Sequence, residues 1–114
     1  FYVLRRLIIM YIYTITTFEE LDNEYGGIAG SSRCVGYYDN FKDADEAVKN
    51  NLGDIFETIY NYAVIEKVEA GLYPACLERQ FYKIHVENDD YRNVTYEPID
   101  EPECVKCIVN FAIG

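Results

Sequence analysis

The fold prediction starts from residues 41–60, which read FKDADEAVKNNLGDIFETIY. Apolar residues recur in this stretch at three- and four-residue spacing, as they do on the buried face of a helix. They form one stripe made of Ala44, Ala47, Val48, Leu52, Ile55, Phe56 and Ile59. Asp39 and Asn40 offer an N-cap directly before the helix, and acids follow in the first turns, where they suit the helix dipole. The pattern predicts an amphipathic helix from Phe41 to about Tyr60, in which Gly53 costs about 1 kcal/mol relative to alanine.

Strand-like segments flank this helix on both sides. β-Branched and aromatic residues or apolar–polar alternation mark each of them. The predicted strands are Tyr11–Thr17, Arg33–Tyr38, Tyr62–Val68, Arg79–Glu87 and Tyr91–Ile99. The first has apolar residues or threonine on both faces and should therefore be central or well covered.

Turns and ends complete the element order. The polar, glycine-containing stretch Glu19–Ser32 predicts a mobile loop, and Asn88–Asp90 has the composition of a hairpin turn. Asp100, Glu101 and Pro102 are typical of a helix start and predict a short C-terminal helix. The order β-β-α-β-β-β-α predicts an α+β fold, a mainly antiparallel sheet of four to five strands with the long amphipathic helix and the short C-terminal helix on one face.

The length of 114 residues fits a single domain over residues 1–114. Met10 opens the first strand, which favours it as the natural start and residues 1–9 as an upstream extension. Alternatively, the apolar residues on either side of Arg5 and Arg6 extend the first strand. These two charges interrupt the apolar run, so no membrane-spanning helix is expected, and without a secretory signal we expect a cytoplasmic protein.

The charge is the first unusual feature of the composition, with 20 acidic and 10 basic residues and a net charge of -10. A field of this sign repels nucleic acid and anionic lipid and attracts basic surfaces. We therefore expect neither direct nucleic-acid binding nor membrane binding. The second is the content of 12 tyrosines without tryptophan, which is typical either of an adhesive surface or of a tyrosine-rich sheet face covered by the helix.

Residues that carry chemistry are sparse. Cys104 and Cys107 form a CxxC motif, but a zinc site would need a second pair of ligands, and the remaining cysteines, Cys34 and Cys76, stand alone. His85 is the only histidine and alternates with apolar neighbours, which puts it on the polar face of a strand. No nucleophile motif or phosphate-binding loop is present. The sequence predicts no catalytic residue, no metal and no cofactor.

Part of the chain resembles a family of short proteins found in gut Firmicutes, their phages and other mobile elements. The resemblance covers roughly residues 33–74 and 109–111. It rests on the runs RCVGYY (33–38), NYAVIE (61–66) and GLY (71–73), and on Phe41, Ala44, Val48, Asn51, Asp54, Ile55, Glu57 and Tyr60. It implies a mobile-element setting, where small acidic proteins are often inhibitors of host defence, anti-CRISPR proteins among them.

The leading hypothesis is a non-enzymatic inhibitor that binds a host nucleic-acid-handling defence protein, such as a CRISPR nuclease. Clustered carboxylates can occupy a basic channel in place of phosphates. The candidate partner-binding residues are Glu19, Glu20, Asp22 and Glu24 in the loop and Asp39, Asp43, Asp45, Glu46, Asp54 and Glu57 along the helix.

Two other functions fit the same sequence. A sponge that sequesters an anionic nucleotide immune signal would need cations beside aromatic rings. Its candidate ligand-binding residues are Arg33, Arg79, Arg92, Tyr37 and Tyr38. The other alternative is a mobile-element protein with no role in defence. The oligomeric state does not follow from the sequence.

Overall fold

The computed structural model describes residues 10–20, 29–72, 74–90, 92–102 and 111–113. Within these ranges there are five strands, β1 to β5, and one α-helix, α1, with short 3-10 turns at Leu52–Asp54 and Glu87–Asp89. In chain order these elements are β1 (Tyr11–Glu20), β2 (Ala29–Tyr38), α1 (Phe41–Lys49), β3 (Tyr62–Glu69), β4 (Cys76–Val86) and β5 (Val94–Ile99).

The strands form one antiparallel sheet in the order β2-β1-β3-β4-β5. The α+β class and the five-stranded antiparallel sheet are thus confirmed. β1 pairs with β2 on one side and with β3 on the other, so it is central, as its apolar residues on both faces predict. Each central strand satisfies its backbone groups on both sides, which allows it to be buried.

Both faces of the sheet carry apolar side chains. On one face, Ala44, Ala47 and Val48 of α1 pack against the core cluster that includes Ile65 and Tyr82. The other face carries a second cluster made of Phe18, Tyr62, Val64 and Phe81, with Ile99 and Phe111 packed against it. Since side chains alternate along a strand, β3 supplies both clusters, and its strong burial follows from this position.

The long helix prediction is wrong beyond Lys49. Asn51 adopts a left-handed backbone with φ 48° and ψ 44°, which ends the helical path. Its side-chain Oδ1 accepts a hydrogen bond from the Tyr96 hydroxyl at 2.6 Å and another from the Phe56 backbone N–H at 3.4 Å. Asparagine tolerates this conformation better than most residues, and Gly53, with φ 65°, tolerates it without steric cost.

The predicted apolar stripe is therefore only partly buried. Ala44, Ala47, Val48 and Phe56 lie in the core, and Ile55 is half-buried. Leu52 and Ile59 are each 54% exposed, because the chain leaves the helical path before it reaches them. This is a correction to the seven-residue stripe inferred from periodicity.

Several boundaries also differ from the sequence prediction. β1 continues through Glu20 and β2 begins at Ala29, so both strands extend into the stretch predicted as loop. β4 begins three residues early, at Cys76, and β5 begins at Val94. The predicted hairpin turn is confirmed between them, with Asn88 at φ 52°. The predicted C-terminal helix lies mainly in residues 103–110, outside the described residues, as do residues 1–9.

Candidate interaction surface

The start of α1 holds two of the predicted acids at the surface. The Asn40 side chain accepts a hydrogen bond from the Asp43 backbone N–H at 2.9 Å and so caps the helix. Its amide nitrogen donates to the carboxylates of Asp39 at 2.8 Å and Asp43 at 2.9 Å. These bonds fix both carboxylates beside the N-terminus of α1 while their residues stay exposed.

Asp45 has a structural role instead. It accepts a hydrogen bond from the hydroxyl of Tyr82 at 2.5 Å and pairs with Lys49 one turn along the helix at 3.1 Å. Tyr82 is fully buried. Burial, and secondarily the bond and charge of Asp45, raise the pKa of Tyr82 well above its usual value. Asp45 therefore joins α1 to the sheet, and its carboxylate is already occupied by two donors.

Three more of the predicted acids are half-buried or engaged. Glu57 pairs with Arg33 at 2.8 Å, which ties the chain after α1 to strand β2. Glu20 accepts a hydrogen bond from the Tyr62 hydroxyl at 3.2 Å, and Glu19 is half-buried. Asp22 and Glu24 lie outside the described residues.

Of the six predicted acids along the helix, four are exposed and form no ion pair with any described residue. They are Asp39, Asp43, Glu46 and Asp54. All of them belong to one continuous stretch of chain that begins at the cap of α1 and ends in the following 3-10 turn. Ionised carboxylates without protein cations can accept charge-assisted hydrogen bonds from lysine or arginine of a partner. We call these four residues the α1 acidic surface.

The three arginines of the alternative site are not brought together. Arg33 lies on β2 and Arg79 on β4, with two strands between them, which places their backbones about 14 Å apart at the usual strand spacing. Arg92 lies in the turn that connects β4 to β5. Each also has an acidic partner, which is Glu57, Glu66 and Asp90 in turn.

The two tyrosines of that alternative site are adjacent on β2, but their side chains lie in different environments. Tyr37 is 68% exposed, whereas Tyr38 packs against the core on the α1 side of the sheet. Of these two tyrosines, only Tyr37 offers an exposed ring on which a nucleotide base could stack. Of the three arginines, only Arg33 lies on β2 with Tyr37.

Sequence reasoning missed the most buried charge of the described chain. Glu66 in β3 is 0% exposed. Its carboxylate accepts a hydrogen bond from Arg79 Nε at 3.1 Å, and from the backbone N–H groups of Phe111 at 3.0 Å and Ala112 at 3.1 Å. Arg79 also contacts Glu101 at 3.5 Å. An acid inside the otherwise apolar run of β3 was the signal, because a buried carboxylate requires donors.

The clefts of the described residues offer little chemistry. The cleft of about 440 Å³ beside the start of β4 is lined by Cys76, Arg79 and Glu101, among others. Burial, followed by the charge of Glu66, raises the pKa of the Cys76 thiol, which disfavours the reactive thiolate. His85 is exposed, as predicted, and its Nε2 lies 2.7 Å from Glu97.

Within the described ranges, no group of three histidine, cysteine or acidic side chains is arranged to hold a metal ion. Cys104 and Cys107 lie outside them. Among the described helices, none has the length and apolar character needed to cross a bilayer.

Comparison with known proteins finds no matching family model, no curated relative and no similar solved structure.

Proposed function

We propose that the protein is a non-enzymatic binding protein that works in the host cytoplasm. In this proposal the α1 acidic surface docks on a basic surface of a host nucleic-acid-handling defence protein, such as a CRISPR nuclease, and inhibits it. One observation carries the proposal: between Asp39 and Asp54, four carboxylates are exposed and form no ion pair with a described residue, in a chain of net charge -10. The resemblance to mobile-element proteins supports the choice of partner.

The physical argument concerns which carboxylates a partner can use. A basic channel that normally holds phosphates is lined by arginine and lysine, and it attracts an acidic surface from a distance. Asp43 and Glu46 lie on α1, whose backbone is fixed by its own hydrogen bonds, and Asp39 accepts a hydrogen bond from the N-cap residue Asn40. Such a surface loses less entropy on binding than a loose chain would.

The sponge alternative is not supported by the geometry. Its arginines are separated across the sheet, and each already pairs with a carboxylate. If the protein instead has no role in defence, substitutions on the α1 acidic surface should have no effect on phage survival.

The test compares two sets of substitutions that change the charge equally. The first set is Asp39→Lys, Glu46→Lys and Asp54→Asn on the α1 acidic surface. Asp43 is left unchanged because its carboxylate and backbone belong to the cap. The matched control is Glu69→Lys, Glu78→Lys and Asp100→Asn, three exposed acids outside α1.

The partner is first captured from a host lysate and identified, and association rates are then measured at several salt concentrations. The α1 set should slow association about tenfold or more at low salt, and the control set should have a much smaller effect. Phage protection should be lost with the first set only. If both sets slow association equally, the net charge of the protein attracts the partner and the α1 acidic surface is not the docking site. If neither set slows association, the proposal is refuted.

A further inference from the structure

In the segment from Asn50 to Tyr60, the sequence pattern predicts a helix, but the backbone is not helical. Leu52, Ile55 and Ile59 follow the i, i+3, i+7 spacing of a helix, directly after the last residue of α1. The backbone instead forms a 3-10 turn at Leu52–Asp54 followed by further turns. Local preference and the observed conformation therefore point to two different structures.

The backbone of this segment is strained. Asn51, Asp54, Glu57 and Thr58 have φ of 48°, 56°, 49° and 60°, in addition to Gly53 at 65°. The left-handed region is uncommon for side-chain-bearing residues, and for a β-branched residue such as Thr58 it is an outlier. Four such residues and Gly53, within eight positions, place much of the described chain's left-handed backbone in one short stretch.

The exposed side chains point to the same conflict. Leu52 and Ile59 are each more than half exposed, although both are large and apolar. Leu52 and Ile55 line an open cleft of about 310 Å³ between this segment and β2. A helical path would instead place these residues in line with Ala44 and Val48 on the apolar stripe.

A few specific contacts hold the turn. The Tyr96 hydroxyl bonds to Asn51, Glu57 pairs with Arg33, and Phe56 is buried in the core. The hold is incomplete, because Oε2 of Glu57 is buried without a hydrogen-bond partner. A buried polar atom without a partner lowers the free energy that is needed to open a segment without unfolding the whole domain.

We propose that residues 50–60 are a bistable element. In one state they form the strained turn, and in the other they continue α1 as a helix, release Tyr96 and Arg33, and align Leu52, Ile55 and Ile59 along one face. This inference does not rest on the acidic docking proposed above. A helix with anchors at these positions is the form that a helix-accepting groove would select.

The first test is Gly53→Ala. Alanine is a better helix former than glycine, and it is disfavoured at the positive φ of the turn. Both effects shift the equilibrium toward the helix. The ratio of helix to turn should rise by at least about tenfold. The measurement is ¹³Cα chemical shift and chemical-exchange saturation transfer by NMR over residues 51–59, which detects minor states of about 1%.

The second test is Thr58→Gly, which acts in the opposite direction. Glycine relieves the left-handed strain and weakens the helix, so the minor state should fall at least about tenfold and the melting temperature should rise. The control is Thr95→Gly on exposed β5, which should lower the melting temperature and leave the exchange at residues 51–59 unchanged.

The two variants separate the outcomes. Helical shifts that grow in Gly53→Ala and exchange that vanishes in Thr58→Gly support two states. If Gly53→Ala does not fold, Thr58→Gly decides alone. A single conformer at residues 51–59 in the parent protein, or exchange that neither variant changes, would overturn the proposal.

Discussion

Replacing Glu66 with alanine is the most direct test of how Phe111 and Ala112 are held on the sheet. The buried carboxylate of Glu66 accepts hydrogen bonds from Arg79 and from the backbone N–H groups of Phe111 and Ala112. Alanine removes all of these acceptors at once. Arg79 keeps its contact with Glu101 at 3.5 Å, so its charge is not left entirely alone.

The magnitude follows from the groups that lose their acceptor. Removing one partner of a buried ion pair costs about 3–5 kcal/mol when the other charge stays buried. The Arg79 side chain is 17% exposed, so the lower end of this range applies here. A buried N–H left without an acceptor costs about 1–3 kcal/mol, and such losses within one network are not additive. We therefore expect Glu66→Ala to lower the free energy of unfolding by about 4 kcal/mol. At about 4 °C per kcal/mol for a domain of this size, the melting temperature should fall by about 15 °C.

The assay is urea unfolding and thermal melting, followed by circular dichroism. The matched control is Glu69→Ala, because Glu69 lies on the same strand but is exposed. It should change stability by less than about 0.5 kcal/mol. Replacing the pair together, Glu66→Leu with Arg79→Met, should cost less than Glu66→Ala alone, since no charge is left buried. If Glu66→Ala melts like Glu69→Ala, the network does not stabilise the fold and the reasoning is refuted.

Three further predictions concern single contacts and the cysteines. Since the pKa of Tyr82 is raised by burial, the unfolded chain loses that proton first, and stability should fall as pH rises above about 10; Tyr82→Phe should make this alkaline loss less steep in urea titrations. Asn51→Ala and Tyr96→Phe should each cost about 1–2 kcal/mol, and the double variant should cost less than their sum in a double-mutant cycle. Elemental analysis should find no stoichiometric zinc, and Cys104→Ser with Cys107→Ser should leave the melting temperature nearly unchanged; one equivalent of zinc would make the CxxC motif a metal site.

The sheet could be predicted because its signals are local. β-Branched and aromatic runs with apolar residues on both faces mark β1 and β3, and both strands have neighbours on each side. The end of α1 could not be predicted in this way. Asn51 leaves the helix to bond with Tyr96, which lies 45 positions later in the chain, and no local periodicity contains that contact.

The candidate site shows the same limit for charges. The helical period correctly places Asp43 and Glu46 on the outer face, since that prediction needs only the spacing along α1. The period cannot tell that Asp45 reaches a tyrosine of β4 or that Glu57 meets Arg33 of β2, because both partners come from other elements. The composition thus gives the number of carboxylates, but it does not tell which of them are already paired within the fold.

This difference decides how a mutational scan of the acids must be interpreted. Reversing Asp45 removes the acceptor of the buried Tyr82 hydroxyl and the partner of Lys49, so it should weaken the fold itself. A loss of partner binding in that variant would then follow from unfolding even if Asp45 never touches the partner. Reversing Glu46 removes no ion pair with a described residue, so a loss of binding there would report on the interface. Only acids whose variants melt like the parent protein can therefore assign the docking surface, and by this criterion Glu46 is the most informative single position on α1.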